Sequence, residues 1–577
     1  MNQFRNASVL RPFFSQHWRL FLLGIVILIS VNLLQLFIPR LIGKAVDALL
    51  NSQTGLESSV ITVMAISVVI AVLRYVYREC IIGTTRRMEA WLRESIFHHA
   101  IRIPLSYYDE HGPGKVMALT TNDIAAVRIA VGFGTMLFID AIIMGSASLF
   151  VMAQYIDWKL TLMATIPLPV ILLAATVMGK SVHIRFRAVQ EKFSDLTEFT
   201  QEVIAGATIV KGFAVEDHVM KRFYTANQDN VKANLQLAYL QAAYMPITHI
   251  APLVCYAIAL YVGGTLIMEG VMSVGDFAAF TGYLGLIIWP VMGLGYLINT
   301  VQRGTASLHR IQDFLSQPLI EREEDNVPEF VKPPTVAVKN LTFQYPHSSV
   351  PSLQQVNFTI RPGTVVGIVG GAGAGKTTLL KLLLRLYDPP DSTIFLDDRD
   401  ITTIDYVSLR ESIAYVPQES FLFSRTIGDN ISFALDATRQ QIEDAARLAA
   451  VREDIDEKPF GYATLLGEKG KRLSGGQQQR VAIARALIKE KPVLLMDDVF
   501  SALDYHTQAN LLTNLRPILT GRTVLMISQR ITAVKEADWI LVMEQGTIAE
   551  QGTHKELVER KGLYFKLYEQ QLVDGAE

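Results

Sequence analysis

The sequence has little cysteine and little charge. Its two cysteines, Cys80 and Cys255, lie far apart in apolar segments, so neither a disulfide framework nor a zinc site is indicated. Charged residues make up 19% of the 577 residues, and the formal net charge is −2. A chain without a basic excess is not expected to bind nucleic acid. A cleavable signal is not expected either, because the first apolar stretch is too long and lacks a small-residue cleavage site.

Long apolar stretches occupy the part of the chain before residue 301. Half of all residues are hydrophobic, which is unusual for a soluble protein. We predict six membrane helices, each long enough to cross about 30 Å of hydrocarbon. They cover approximately residues 19–46, 59–82, 131–156, 160–180, 247–268 and 276–300.

The basic residues between these helices are unevenly distributed. The connections 51–58 and 269–275 contain no Lys or Arg, whereas the segments 83–130 and 181–246 are rich in both. Basic residues favour the cytoplasmic side, so we expect these two segments and both termini to be cytoplasmic. The asymmetry argues against a soluble helical protein. It predicts a multi-pass protein of the cytoplasmic (inner) membrane, surrounded by membrane lipids.

The two cytoplasmic segments show helical periodicity with few breakers, over Arg86–His99 and Arg187–Ala205. We therefore expect the membrane helices to continue well into the cytoplasm. Each segment has a polar break at which a turn is expected, at residues 111–114 in the first and at 211–212 in the second.

The most informative motif is a glycine-rich loop between a predicted strand, Thr364–Val369, and a predicted helix that begins near Thr378. Glycines let successive backbone N–H groups face a phosphate, and the helix N-terminus adds its positive end. In this P-loop (Walker A) pattern Lys376 reaches the β- and γ-phosphates and Thr377 ligates Mg²⁺, which favours a nucleoside triphosphate over an ordinary turn. The loop comprises Gly370, Gly371, Ala372, Gly373, Ala374, Gly375, Lys376 and Thr377, and Thr378 follows it.

A second motif is the run Leu473–Arg480, with the sequence LSGGQQQR, which precedes a helical stretch. Ser474 and the amides of Gly475 and Gly476 form another anion-binding helix start. After it, Val493–Asp497 is a buried strand by composition and ends in a carboxylate, the Walker B arrangement that holds Mg²⁺.

The LSGGQ run between two Walker motifs resembles the signature of ATP-binding-cassette (ABC) ATPases, in which it contacts ATP held by the opposite subunit. Residues 107–123 and 206–213 are similar to the coupling-helix turns of type IV, exporter-type ABC proteins. The resemblance implies a multidomain chain with an all-α domain of six membrane helices and long cytoplasmic extensions (1–317), a polar linker (318–334) and an α/β P-loop ATPase domain (335–577). One domain of each kind makes a half-transporter that needs a second ABC half-transporter.

The resemblance also implies roles for single residues and the cofactors ATP and Mg²⁺. Tyr345 would stack on adenine, and Gln418 would contact Mg²⁺ together with Thr377 and Asp497. Asp504 in the D-loop would communicate between two ATP sites. The signature residues that enter the partner's site would be Ser474, Gly475, Gly476 and Gln477.

Two positions depart from the family pattern. Where the family usually has the glutamate that polarises the attacking water, this chain has Asp498, one methylene shorter. A general base must lie within about 2.6–3.2 Å of the proton it takes, so the lost reach is a handicap. The usual switch histidine is Gln529, whose amide donates a hydrogen bond but cannot become cationic. Together they predict a degenerate hydrolytic site in a chain with an intact signature.

This asymmetry resembles one subunit of a heterodimeric bacterial multidrug ABC exporter. Such a subunit supplies its signature to a competent site on the partner, while its own Walker motifs hold ATP with slow or no hydrolysis. The pair would couple ATP to the efflux of amphiphilic drugs or lipid-like compounds. The alternatives are a homodimer in which Asp498 is a poor base, and an ATP-binding channel or regulator that does not pump.

Asp140 lies deep in the third predicted membrane helix. Intramembrane charges usually face the interior of the helix bundle, where they pair with each other or meet substrate. We therefore treat Asp140 as the candidate for a substrate cavity that attracts cationic drugs, with structural pairing as an equal alternative.

Overall fold

The computed structural model describes residues 6–51, 56–320, 330, 332–346, 348–467, 470 and 472–574. The chain forms two compact units, one of Met1–Ile101 with Pro113–Gln317 and one of Arg102–Gly112 with Pro318–Glu577. Residues 102–112 thus group with the second unit, although they lie inside the predicted membrane domain. Part of the predicted linker, residues 321–329 and 331, lies outside the described residues. The predicted domain limits stay predictions.

From Asn6 to Leu315 the described residues are helical apart from short turns. The helices are α1 (Arg11–Gln35), α2 (Phe37–Leu50), α3 (Leu56–Ala100), α4 (Leu105–Ala118), α5 (Ile124–Ile129), α6 (Thr135–Ile139), α7 (Gly145–Tyr155), α8 (Trp158–Thr165), α9 (Pro167–Ala205), α10 (Ala207–Gly212), α11 (Glu216–Met268) and α12 (Val274–Leu315). The helices α3 and α9 continue far beyond the predicted spans, because the periodic pattern continues without breakers.

The turns of the two cytoplasmic segments differ in detail from the predicted ones. In the first segment the chain turns at residues 101–104, and α4 then kinks at Gly112, where φ is 64°. In the second segment the short helix α10 lies between Gly206 and a turn at residues 213–215. The polar breaks therefore mark a kink and the end of a short helix.

The helical stretch Leu105–Tyr155, which includes most of the third predicted span, contains three π-helical turns, Leu119–Asp123, Ala130–Gly134 and Asp140–Met144. A π turn shifts the side chains that follow it around the helix, and such turns are frequent at functional sites. Hydrophobic periodicity does not reveal them, because each turn adds a single residue to the repeat.

Four of the predicted spans lie in helical stretches that are long and apolar enough to cross a membrane, as judged over the described residues. These stretches are Ser8–Leu50, Leu56–Ala100, Leu105–Tyr155 and Val274–Leu315. The spans 160–180 and 247–268 lie in α8 to α9 and in α11, and the latter contains the shorter apolar stretch Pro252–Met268. A total of six membrane helices stays a prediction.

The second unit contains two β-sheets. The strands are β1 (Val336–Phe343), β2 (Leu353–Ile360), β3 (Val365–Gly370), β4 (Ile394–Leu396), β5 (Arg399–Asp400), β6 (Ile413–Val416), β7 (Val493–Asp497), β8 (Thr523–Ile527), β9 (Trp539–Glu544) and β10 (Thr547–Gly552). A small antiparallel sheet has the order β2–β1–β4–β5. The larger sheet has the order β10–β9–β3–β8–β7–β6, in which all pairs are parallel except β10 with β9.

Helices cover the larger sheet, and a hydrophobic core lies on each of its faces. The helices of this unit are α13 (Lys376–Leu383), α14 (Tyr406–Glu411), α15 (Ile427–Ser432), α16 (Arg439–Leu448), α17 (Arg452–Asp456), α18 (Gly475–Leu487), α19 (Tyr505–Leu519), α20 (Ile531–Val534), α21 (His554–Arg560) and α22 (Leu563–Asp574). One core joins α13 to the small sheet, and the other contains α18 and α19.

The parallel strands bring the predicted motifs to one edge of the sheet. Strand β3 ends at Gly370 and β7 ends at Asp497, while β8 between them leads to Gln529. Strand β6, on the other side of β7, leads to Gln418. The carboxyl ends of parallel strands meet at the same edge, which is where open α/β sheets bind their ligands.

Candidate functional site

The glycine-rich loop connects β3 to α13 through backbone conformations that only glycine adopts easily. The φ angle is 153° at Gly370 and 91° at Gly375. A Cβ atom at Gly375 would lie 2.6 Å from the carbonyl oxygen of Ser352, and one at Gly370 would overlap with the carbonyl oxygen of Met543. The glycines therefore allow a tight curl that opens on the free N–H groups at the start of α13, the geometry of a phosphate-binding loop.

Lys376 is the first residue of α13 and is buried. Its ammonium group donates hydrogen bonds to the carbonyl oxygens of Gly370 and Gly371 at 2.8 and 2.7 Å. Burial lowers the pKa of Lys376, against the attraction of Asp498 and Asp497. The positive charge is thus held between the loop and the two acidic residues at the end of β7, Asp497 and Asp498.

Thr377 and Asp497, two of the predicted magnesium ligands, are in direct contact. The Thr377 hydroxyl donates to Asp497 Oδ1 at 3.0 Å, while Asp497 Oδ2 is buried without a hydrogen-bond partner among the described residues. Burial raises the pKa of Asp497, and the Thr377 hydrogen bond opposes this. Gln418 is exposed beyond the end of β6. Hydroxyl, carboxylate and amide oxygens are hard ligands, so this set fits Mg²⁺.

Asp498 is buried and has a left-handed backbone, with φ of 47°. Its Oδ1 accepts a hydrogen bond from the backbone N–H of Gln529 at 3.3 Å. Its Oδ2 is buried without a hydrogen-bond partner in the described part of the chain. The Gln529 residue is exposed, and its backbone rather than its side chain contacts Asp498. The two departures from the family pattern are therefore in direct contact.

No sequence motif points to Gln571, yet it fixes the loop between β8 and α20. Its Nε2 donates to the carbonyl oxygen of Gln529 at 2.7 Å, and its Oε1 accepts from the N–H of Ile531 at 2.8 Å. One side-chain amide in α22 thus holds two backbone groups of the loop that carries the switch position.

Tyr345 follows β1 and is half-buried. Its ring meets the ring of Tyr387 edge-on at 4.9 Å, and its hydroxyl donates to Thr378 Oγ1 at 3.3 Å. These contacts anchor Tyr345 next to the residue that follows the phosphate loop. Stacking on adenine stays a prediction.

The signature run begins α18 with a capping box. Ser474 Oγ accepts from the N–H of Gln477 at 3.3 Å, and Gln477 Oε1 accepts from the N–H of Ser474 at 3.1 Å. Gln477 Nε2 also donates to Asp454 at 2.7 Å. Ser474 and Gly475 are exposed. The positive end of α18 is therefore accessible to an anion.

Asp504 caps α19, because its Oδ2 accepts from the N–H of Thr507 at 2.9 Å. This hydrogen bond lowers the pKa of Asp504. The local role of the residue is that of a helix cap, and the D-loop role stays a prediction.

A cavity of about 370 Å³ lies in the first unit, and Asp140 lines it at the start of a π-helical turn. Asn32 of α1 donates to Asp140 Oδ1 at 2.8 Å. Arg74 and Arg78 of α3 line the same cavity. Asp140 thus combines a structural partner with a position on the cavity wall, the two roles that the sequence left open. Contact with a substrate stays a prediction.

Two protein-family models match the chain. The model for the ABC transporter transmembrane region matches residues 21–291, and the model for the ABC transporter matches residues 353–501. The matched residues include the phosphate loop, the signature run and the Walker B strand.

Relatives match the chain over almost its whole length. The probable multidrug resistance ABC transporter ATP-binding/permease protein YheI of Bacillus subtilis (strain 168) is 34% identical over 98% of this chain and 97% of its own. The multidrug resistance-like ATP-binding protein MdlA of Escherichia coli (strain K12) is 36% identical over 98% of this chain and 96% of its own. A solved structure of a bacterial Atm1-family ABC exporter with ATP bound matches 98% of this chain and 99% of its own, with a TM-score of 0.75 and 27% identity. The predicted order of a helical transmembrane domain and an α/β ATPase domain is thereby confirmed.

Proposed function

The chain belongs to the ABC transporter family, and we propose that it is one half of an exporter that moves amphiphilic drugs or lipid-like compounds out of the cell. It is a membrane-embedded, ATP-hydrolysing transport ATPase. The distribution of basic residues supports a cytoplasmic (inner) membrane location, with both termini and the ATPase domain in the cytoplasm.

The cofactors that the site fits are ATP and Mg²⁺. Lys376 and the loop N–H groups would hold the phosphates, and Tyr345 would stack on adenine. Thr377, Asp497 and Gln418 would hold Mg²⁺, which when bound neutralises charge on the β- and γ-phosphates.

The contact between Asp498 and Gln529 supports a specific proposal, that the ATP site on this chain's own Walker motifs is slow. The short side chain of Asp498 is buried, and one of its oxygens accepts the Gln529 N–H. This hydrogen bond holds the short carboxylate near β8, and so it limits the reach of the carboxylate toward an attacking water. Gln529 in turn supplies no positive charge for the developing negative charge. We infer that this chain's own site keeps ATP with slow or no hydrolysis.

The competent site would then combine the signature of this chain with the Walker motifs of a partner. Ser474 and Gly475 are exposed at the start of α18, where they would contact the γ-phosphate of the partner's ATP.

The second cytoplasmic turn exposes apolar side chains, with Ile209 at 65% and Phe213 at 77% exposure. Apolar surface of this kind marks an interaction site. We propose that α10 is a coupling helix covered by the ATPase domain of the second half-transporter.

An unlike partner is favoured over a second copy for a chemical reason. A homodimer would have the short Asp498 in both sites and no strong base in either. An unlike partner that brings a glutamate and a histidine restores one fast site.

The test compares the full-length chain purified alone with the complex that co-purifies from the native host. We expect two different chains in that complex, ATP binding by both preparations and fast turnover only in the complex. If the chain alone hydrolyses ATP as fast as the complex, the heterodimer proposal is wrong.

A second experiment measures ATP-dependent uptake of a fluorescent amphiphile into inside-out vesicles, which separates a pump from a channel or regulator. Uptake that is independent of ATP overturns the export function.

A further inference from the structure

The cavity beside Asp140 carries an uneven charge. Its volume of about 370 Å³ is within the range of small-molecule sites. Arg74 and Arg78 reach its wall from α3, and Asp140 reaches it from the third span. When these three side chains are ionised, the two guanidinium groups outweigh the single carboxylate by one positive charge.

Asp140 is already engaged with the protein. The amide of the buried residue Asn32 donates to its Oδ1 at 2.8 Å, and the charge of Arg74 attracts the same carboxylate. The negative charge of a carboxylate that accepts a hydrogen bond from an amide and lies near a guanidinium is already offset, so its attraction for a cationic ligand is weak. This arrangement does not favour the attraction of cationic drugs for which Asp140 was a candidate.

Arg78 has no carboxylate partner among the residues that the structure describes. Arg74 and Arg78 are four residues apart on α3, so both lie on one face of the helix, where like charges repel. Charge inside a membrane span is costly, and such side chains usually face the bundle interior or a cavity, where they pair or meet a substrate. An anion between the two guanidinium groups relieves this repulsion, and a guanidinium binds phosphate or carboxylate through two parallel hydrogen bonds.

Much of the remaining wall is apolar and includes Leu28, Val31, Met136 and Leu137. These side chains come from α1 and from the third span. They offer contact to hydrocarbon but not to a second charged group. The ligand that complements both parts of the wall therefore has an anionic head and an apolar body.

We propose that this cavity binds an amphiphile with a phosphate or carboxylate head, which Arg78 and Arg74 hold while the apolar part contacts the α1 and third-span side chains. The proposal rests on the proposed export function and narrows its substrate class. The charge of Asp140 offsets that of Arg74, and the uncompensated charge of Arg78 selects the sign of the head group.

The test uses the full-length complex in phosphatidylcholine nanodiscs. Three probes with the same dodecyl chain are compared below their micelle concentrations: dodecyl phosphate, dodecyltrimethylammonium and dodecyl maltoside. We expect dodecyl phosphate to bind at least about tenfold more tightly than the other two, the effect of one charge-assisted hydrogen bond. Competition by phosphatidylglycerol indicates that a lipid can supply the head group. Competition by inorganic phosphate with no affinity gained from the dodecyl chain overturns the amphiphile.

Variants separate the two charges. Arg78→Gln should weaken dodecyl phosphate binding about tenfold, whereas Arg78→Lys, which keeps the charge but loses the bidentate geometry, should weaken it less and keep the preference for the anionic probe. Asp140→Asn removes the negative charge on the wall and should leave the binding unchanged or strengthen it. Arg19→Gln, an exposed arginine of α1 away from this cavity, is the matched control and should have no effect.

The outcomes distinguish this proposal from the proposed function. If dodecyltrimethylammonium binds best and Asp140→Asn weakens it, the cavity is a cation site and the proposal is wrong, although ATP-driven export stands. If no amphiphile is transported in an ATP-dependent manner, the export function fails, whatever the probes bind. Basal ATP turnover, measured for every variant, identifies one that has failed to fold, and the Arg78→Lys comparison then decides.

Discussion

The carboxylate of Asp498 accepts a hydrogen bond from the backbone N–H of Gln529 at 3.3 Å. The two residues follow neighbouring parallel strands, in which Asp497 pairs with Ile527, so the sheet register brings them together. Both positions depart from the ABC pattern, and a single contact joins the two departures. Substitutions at these positions are therefore expected to be non-additive.

Lengthening the side chain at position 498 is expected to activate this chain's own site. In a complex that carries Ser474→Arg, which silences the partner's site under our proposal, Asp498→Glu should raise the residual ATP turnover roughly 10²-fold, because a positioned general base contributes at least that much. Steady-state phosphate release measures this. Asp498→Asn, which has the same size and no basic group, is the matched control and should not raise turnover. If Asp498→Glu does not raise the turnover, the short side chain of Asp498 is not the reason for slow hydrolysis at this site.

The nucleotide site could be predicted because its determinants are local. The strand before Gly370, the glycines and the helix that begins at Lys376 are consecutive in sequence, and each follows from the chemistry of its own residues. The same is true of Ser474, whose capping box with Gln477 lies within one helical turn. Parallel pairing of β7 with β8 then places Asp497 at the shared edge.

The contacts that could not be predicted join distant residues. Gln571 lies 42 positions from Gln529, and Asn32 lies 108 positions from Asp140. Such hydrogen bonds depend on how whole helices pack, and nothing in the local sequence of either partner encodes them. The charge of the membrane cavity is hidden for the same reason, because α3 and the third span are separate in sequence and share a wall only after folding.

Removing the side-chain amide of Gln571 is expected to loosen the switch loop. Gln571→Ala deletes the acceptor of the Ile531 N–H, and one hydrogen bond is worth about 1 kcal/mol, so local opening should become roughly fivefold more frequent. Hydrogen exchange of the peptide that contains Ile531 measures this. Gln570→Ala changes the exposed neighbour on the same helix and should leave the exchange unchanged. Identical exchange in the two variants would show that Gln571 does not hold the loop.

Alkaline pH is expected to weaken ATP binding at this chain's own site. Burial lowers the pKa of Lys376 from the ordinary value of 10.5. The attraction of its ammonium for phosphate is therefore complete below that lowered pKa and is lost as the pH rises through it. ATP affinity of the full-length chain, measured between about pH 7 and pH 10, tests this. Lys376→Arg keeps its charge over the same range and should give a flat profile. A wild-type profile as flat as that of the variant would contradict the prediction.

Ser474 and Lys376 of this chain belong to different ATP sites if the partner is an unlike half-transporter. Ser474→Arg places a large cation where the partner's γ-phosphate must bind, so ATP turnover and transport by the purified complex should almost disappear. Lys376→Ala should weaken ATP retention only at the slow site and leave substantial turnover. In a homodimer both substitutions would affect the same two equivalent sites and would be comparably severe. Steady-state turnover of both variants, with ATP occupancy measured separately, decides between the arrangements. If Lys376→Ala loses as much turnover as Ser474→Arg while the complex still assembles, the two sites are equivalent and the asymmetric pair is wrong.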